Sequence, residues 1–325
     1  MPKADLPTVA IITRTKDRIK FLERAIQSVL QQTAKNYIHV VLNDGGDERK
    51  VESLLEKYPD KNRVVIHNKE SVGITPALNQ AVKSVDSEYV TILDDDDAWH
   101  PDRLKLALET MRLRKTVVCV VPMETVIEDV WEDGEIIEIE RKPHSESWTG
   151  EISLYKQAHR NYLSNGAIMY SRKIYDQLGG YDESLKVAED WDFGIRLMLQ
   201  HNVEQVIVDH ALVYYHQRPS IKDGPEGNSV HAGAREQERA IMILRNNYLR
   251  KDLEQGKIGV GYIMNDIEQG LNNVVRLEGH INRATEAMEQ SVKELKNSVH
   301  KNSRTLYSKL RDKASRFKKK NSTKN

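Results

Sequence analysis

Four consecutive aspartates, Asp94 to Asp97, follow directly on the apolar run Tyr89-Val90-Thr91-Ile92-Leu93 and are closed by Ala98-Trp99-His100-Pro101. Carboxylates so crowded repel one another unless a cation or hydrogen-bond donors share their charge, and an oxygen-only cluster suits Mg2+ or Mn2+. If strand geometry persists through the run, Asp94 and Asp96 project to one side and Asp95 to the other. An acidic run by itself is usually a solvated loop; its place at the carboxyl end of a strand makes this one a candidate metal site. Three further groups sit beside apolar segments: Asn43-Asp44-Gly45-Gly46, Glu189-Asp190-Trp191-Asp192, and His216 after the strand-like Ala211-Leu212-Val213-Tyr214-Tyr215. Asp192 and Arg196, four residues apart, read as a helix-surface ion pair.

The elements that must position these groups are legible as a pattern. Short apolar runs alternate with segments of helical period through the first half of the chain, as in a parallel sheet with crossover helices. Val9–Ile12, Ile38–Leu42, Arg63–His67, Tyr89–Leu93 and Val117–Val121 read as strands. Helices are predicted around the stripe Leu22, Ile26, Val29 and Leu30, over Thr75–Ser84 and over Pro101–Arg114. An open sheet of this kind takes ligands beyond the carboxyl ends of its strands, where Asp44 and the four aspartates fall. Thr125 to Arg141 shifts toward alternation, and Trp131-Glu132-Asp133-Gly134 carries the Asp-Gly of a hairpin turn. Ala167–Tyr170 and Val203–Val208 read as further strands, with a helix from Asp190 to Gln200 between them. Arg218 to Gly233, rich in glycine and proline, is too long for an ordinary tight connection and reads as a mobile lid.

In order and spacing, these motifs resemble glycosyltransferase family 2, the inverting nucleotide-sugar transferases of GT-A fold, over residues 7 to 230. The matching segments are Ile11 to Arg18 with Phe21 to Thr33, Asn43-Asp44-Gly45-Gly46, Gly73 with Ala77-Leu78-Asn79, Leu93 to Trp99, Leu178-Gly179-Gly180-Tyr181-Asp182, and Glu189-Asp190-Trp191-Asp192. The resemblance implies an α/β fold of the GT-A kind, a Rossmann-like and mostly parallel sheet with flanking helices. It also implies single-sugar transfer from a UDP- or dTDP-sugar to a glycan, lipid-linked or small-molecule hydroxyl, aided by Mn2+ or Mg2+.

Carried over residue by residue, the resemblance makes Asp190 the general base, a single displacement requiring only one. A carboxylate capping a helix N-terminus is the alternative for that position. Asp44 is suited to accept the imide N–H of uracil or thymine, against a plain Asp-Gly turn without ligand. Asp96 takes the part of metal ligand, and Asp94 or Asp95 contacts the ribose or the metal shell. His216 is the candidate third ligand, with His231 as runner-up; the alternative for a strand-end histidine is a simple hydrogen bond. Arg14, Thr15 and Asn79 fall in motifs expected to hold the nucleotide. Arg14-Thr15-Lys16-Asp17-Arg18 departs from the family's usual Pro-Thr-Tyr-Asn-Arg, keeping the hydroxyl but adding positive charge. No arginine precedes any tryptophan, so the Arg-Trp ending found in processive synthases is missing, and single addition is expected over polymer extrusion. A silent nucleotide-binding scaffold in a glycan-assembly complex is the rival reading; intact Asp96 and Asp190 speak against it. A sugar nucleotidyltransferase would call for an early glycine-rich loop with lysine, which is absent.

The 325 residues carry 49 Lys plus Arg against 49 Asp plus Glu and one cysteine, Cys119, which excludes a disulfide scaffold or a thiolate metal cluster. The balance hides an asymmetry, since Lys293 to Asn325 holds twelve basic residues against Glu294 and Asp312. The acidic body is a poor nucleic-acid binder, while the basic tail is either a solvated end or a peripheral contact for an anionic membrane or an acidic partner. With no long apolar window and no apolar core near Met1, a cytoplasmic location is expected, with peripheral contact at the inner face of the membrane as its extension. From Val260 to Val299 apolar residues recur every three or four positions. Gly261, Gly270 and Gly279 interrupt that stripe, which favours packing on the body over a coiled coil joining copies into a homo-oligomer. The expected division is a GT-A domain over 1–233, a helical extension over 234–300 and a basic tail over 301–325.

Overall fold

The computed structural model describes residues 9–130, 135–144, 152–221, 227–228, 234–261, 263–265, 278–279, 281–283, 285–286 and 288–296. Strand β1 (Val9–Thr15) is buried along almost its whole length, the burial expected of a central strand covered on both faces. It pairs in parallel with β2 (Tyr37–Asp44) and with β4 (Tyr89–Ile92), and β2 pairs in parallel with β3 (Arg63–Asn68). Helix α1 (Ile19–Leu30) buries Phe21, Leu22, Ala25, Ile26 and Val29, which lie on one face by their three- and four-residue spacing. Helix α2 (Glu48–Lys57) starts at Asp47, whose side chain accepts the Arg49 and Lys50 amides at 3.0 and 3.3 Å; such a cap is worth about 1 kcal/mol. Helix α3 (Ile74–Lys83) leaves Gly73 at φ 98°, a conformation open to glycine.

Beyond β4 come β5 (Ala98–Trp99), α4 (Arg103–Arg114), β6 (Val118–Val120), β7 (Met123–Val130) and β8 (Ile136–Pro143). The chain continues through α5 (Leu154–His159), β9 (Ile168–Ser171), α6 (Arg172–Leu178), α7 (Glu189–Met198), β10 (Glu204–Gln205), β11 (Val213–Gln217) and α8 (Ala234–Glu254). The main sheet has the order β10-β6-β9-β4-β1-β2-β3. Its β9 runs antiparallel to both neighbours, with Met169 opposite Thr91 and Cys119. A second sheet, β5-β11-β7-β8, carries the predicted hairpin as the antiparallel β7–β8 pair, with an irregularity at Ile127/Glu128. The expected strand Val203–Val208 shrinks to β10, and β11 begins two residues later than the apolar run suggested, so His216 lies inside a strand.

The chain divides into two compact units, 1–265 and 266–325. Helix α8 belongs to the first: Leu244 and Tyr248 pack with Trp191, Leu185, Ile195, Val260 and Met264 in a buried cluster. Gly261 is the point of closest approach, since a Cβ there would lie 2.1 Å from the Leu249 amide nitrogen. The glycine read from sequence as weakening a helix is therefore what lets two backbones meet. In the second unit, 281–283, 285–286 and 288–296 are helical and leave Ile281, Met288, Val292 and Leu295 exposed. The basic run 301–325, His231, the turn 131–134 and most of the segment read as a lid lie outside the described residues. No helix among the described residues is long and apolar enough to cross a membrane.

Candidate active site

The buried carboxylate of Asp44, at the end of β2, joins three successive strand-helix units. Its Oδ1 accepts from Asn68 Nδ2 (3.1 Å) and the Val72 amide (2.9 Å), and its Oδ2 from Arg14 Nη2 (2.8 Å), Ser71 Oγ (2.8 Å) and the Gly73 amide (3.2 Å). Gly45, at φ 80°, turns the chain where a Cβ would lie 2.4 Å from the Ser71 nitrogen. Burial opposes ionisation, but Arg14 and the Val72, Asn68 and Ser71 donors outweigh it and hold the Asp44 carboxyl at about 2. A depressed carboxyl stabilises the fold in full above its ordinary value of 3.8 and loses that contribution as pH falls toward 2. The stability difference between wild type and Asp44→Asn, measured by denaturant unfolding, is expected to stay constant above about pH 5 and to shrink below about pH 4. A difference that persists unchanged at the acid end would show that these donors do not favour the charged form.

The four aspartates leave strand geometry at once. Strand β4 ends at Ile92 and the chain turns at Asp95-Asp96, with the Asp97 amide donating to the Asp94 carbonyl at 3.1 Å. Alternation of side chains therefore stops before the cluster. Asp95 accepts from Thr15 Oγ1 (2.7 Å) and Arg18 Nη1 (2.8 Å), and Asp97 accepts the His216 amide (2.9 Å). Asp96 Oδ2 accepts from Arg18 Nη2 (2.6 Å), from Asn228 Nδ2 (3.0 Å) and from Arg218 Nη2. Asp94 opens to solvent, yet enclosure by the surrounding protein, followed by Asp96, Asp95 and Asp190, pushes its carboxyl up to about 7. Burial likewise raises Asp97, while Arg18 and Arg218 overcome burial and hold Asp96 below the usual carboxylate range.

The second sheet supplies the far wall. Glu128 of β7 accepts from Arg24 and, at 3.0 Å, from Arg218 Nη1; Arg24 also donates to the Asp96 carbonyl. His216 is buried in β11 with Nδ1 3.9 Å from Asp97 and Nε2 3.8 Å from Glu128, beyond hydrogen-bond reach. Its Nδ1 has no hydrogen-bond partner. Burial, then Arg24, lowers this imidazole to about 3, so it is neutral at pH 7. The Asp96 and His216 cation site expected from sequence is not gathered here: among the described residues no group of three or more His, Cys, Asp or Glu is placed to hold a metal. Three nitrogen donors, from Arg18, Arg218 and Asn228, meet at one Asp96 oxygen, Oδ2.

Asp190 stands across from Asp94, close enough for its charge to raise that carboxyl. The chain enters α7 through Ala188 at φ 64°, a left-handed conformation that costs a non-glycine residue about 1 kcal/mol and sets Glu189 and Asp190 in the first turn. Asp190 accepts the Trp191 amide at 2.7 Å, the Asn161 side chain and the Asn165 backbone. Burial nevertheless raises its pKa. Glu189 is buried too and lifted to about 8, with Asp190 contributing. Asn165 in turn accepts the Tyr181 hydroxyl (2.8 Å), and Tyr181 meets Tyr170 at 3.0 Å, so a buried aromatic group braces the loop that holds Asp190.

Two expected residues take other work. Asn79, read as a nucleotide contact, donates to the Tyr181 carbonyl and Glu183 (both 2.9 Å) and accepts the Tyr175 hydroxyl (2.5 Å) and the Tyr181 amide (3.0 Å). Its hydrogen-bonding capacity is filled by Tyr175, Tyr181 and Glu183, around the Gly179-Gly180-Tyr181 turn. The Asp192–Arg196 pair forms at 2.7 Å but is not a surface pair: Asp192 is buried and accepts the Tyr248 hydroxyl of α8 at 2.9 Å. Arg18, Arg24, Arg218, Glu128 and Asn228 were not anticipated as site residues. The spacing of Arg18, Phe21 and Arg24 along one face of α1 was the available signal; Glu128 and Arg218 give none without the sheet pairing.

Residues 8–179 match the profile of Glycosyl transferase family 2, more than half of the chain. The protein belongs to that family. An uncharacterised glycosyltransferase of Methanocaldococcus jannaschii is 28% identical over 65% of this chain and 71% of its own length. The uncharacterised glycosyltransferase YwdF of Bacillus subtilis is 26% identical over 71% of this chain and 80% of its own. Among solved structures, residues 1–349 of Staphylococcus aureus TarS in complex with UDP-GlcNAc superpose with a TM-score of 0.59 at 20% identity, over 73% of this chain and 65% of that one. That likeness establishes the GT-A fold, and the chain spans a little under two thirds of the TarS fragment.

Proposed function

We propose that the chain transfers one sugar, with inversion, from a UDP- or dTDP-sugar to a hydroxyl of a glycan, lipid-linked or small-molecule acceptor. The observation that carries the reading is the placement of Asp190 opposite the solvent-open Asp94 beyond the strand ends, half-buried with a raised pKa. A carboxylate so raised is a stronger base near neutral pH, and its approach to solvent leaves room for an incoming hydroxyl. Asp190 takes the acceptor proton as the oxygen attacks the anomeric carbon; the bond to the diphosphate oxygen breaks and its electron pair leaves with the nucleotide. Asp44, ionised and aimed by five partners, suits a pyrimidine imide N–H. Arg14 is the partner with room to move, its side chain being 22% exposed, so base binding exchanges this guanidinium for the imide. The TarS fragment of the same fold was crystallised with UDP-GlcNAc, which supports a donor of this class.

The test is donor turnover. Incubation with a panel of α-linked UDP- and dTDP-sugars and a simple alcohol acceptor is expected to release the nucleoside diphosphate and to give a β-linked product by NMR. An α-linked product would overturn the single displacement. No release from any donor, with no nucleotide binding by calorimetry, would overturn the transferase reading.

A further inference from the structure

Nitrogen donors from three residues already meet at Asp96 Oδ2. Arg218 is fully buried and bridges Asp96, in the turn after β4, and Glu128 of β7 in the second sheet. Its backbone amide donates to Asn228 Oδ1 at 2.7 Å, and Asn228 Nδ2 donates to Asp96 (3.0 Å) and to the His216 carbonyl (2.8 Å). Asp96, Glu128, Arg218 and Asn228 thus close a net across the β4 loop, β7 and the segment after β11. Arg218 thus sets a fixed positive charge at Asp96 Oδ2, where it offsets the buried carboxylates and repels an arriving divalent ion.

Positive charge collects instead on one face of α1. Arg18, Arg24 and Arg218 surround Phe21, with Cζ 5.3, 5.8 and 4.1 Å from the ring centroid. Arg18 and Arg24 keep 20% and 26% of their side chains exposed. Arg18 faces Asp95 and Asp96, beside the solvent-open Asp94. A guanidinium carries five N–H donors in a planar fork that matches phosphate oxygens, and these carboxylates engage only part of each fork.

We infer that this chain holds the diphosphate of its donor through Arg18 and Arg24, with Arg218 filling the place of a cation on Asp96, and needs no divalent ion for binding. The inference rests on the nucleotide-sugar reading above. During transfer, the electron pair released with the leaving diphosphate is met by guanidinium N–H donors, and the acceptor proton goes to Asp190.

Calorimetric titration of the full-length protein with UDP and dTDP, in EDTA and in Mn2+, tests it. The dissociation constant is expected to agree within about threefold between the two buffers. Arg18→Gln and Arg24→Gln, each checked for an unaltered circular dichroism spectrum and melting profile, are expected to weaken UDP at least about tenfold while leaving uridine unchanged. Binding lost in EDTA and restored by Mn2+ would overturn this inference and leave the donor reading standing. Affinity unaffected in both variants would also overturn it. Absence of nucleotide binding in both buffers would overturn the donor reading, and this inference with it.

Discussion

Asp190→Asn is expected to yield a folded protein that binds nucleotide normally and turns over at least about 10²-fold more slowly. The substitution is nearly isosteric and retains an oxygen to accept the Trp191 amide at the start of α7. What it removes is the only group at that position able to take a proton. Glu189 is no substitute, because burial keeps its carboxyl protonated at neutral pH, with a pKa of about 8. Single-turnover rates compared with donor affinity separate the two possibilities. Near-normal turnover would make Asp190 a helix cap and place the base elsewhere.

Asn79→Ala is expected to cost the fold several kcal/mol while leaving nucleotide affinity per folded molecule unchanged. The Tyr181 amide and the Tyr175 hydroxyl lose their acceptor, and the Tyr181 carbonyl and Glu183 lose a donor. Glu183 is exposed and can turn to water, but the buried Tyr175 and Tyr181 groups stranded in this way cost about 1 to 3 kcal/mol each. Denaturant unfolding reads the first effect and calorimetry with UDP the second. A loss of affinity at unchanged stability would restore Asn79 to the nucleotide.

The contrast between these two residues shows where sequence reasoning stops. Strands β1 to β4 were readable as short apolar runs and helices α1 and α3 as segments of helical period, and position beyond a strand end then singled out Asp44 and the four aspartates. The antiparallel course of β9 was not readable: Ile168, Met169 and Tyr170 are buried, and a strand covered on both faces has the same apolar run in either direction. Asn79 sits in a recognisable motif, but the motif does not say whether the amide serves a ligand or a turn; only the four partners decide that. The same holds for Asp96. Its carboxylate chemistry admits a cation or arginines equally, and the arginines arrive from positions 18 and 218, which no local pattern joins. Gln32, likewise in a recognisable stretch, proves to accept the Leu104 amide at 3.0 Å and to donate to the His100 carbonyl at 2.9 Å. It braces the start of α4 just beyond the aspartates.

The docking of α8 on α7 bears on modularity. Composition invites a cut at residue 233, a few residues beyond the last proline, Pro225, as though a catalytic cassette ended there and a replaceable attachment began. Tyr248 reaches Asp192 two residues past Asp190, and Trp191 and Ile195 shelter beneath Leu244. A chimera joined at 233 would therefore expose the flank of the helix that presents the proposed base. The seam at which foreign C-terminal sequence can be grafted lies after Asn265, where the first compact unit closes.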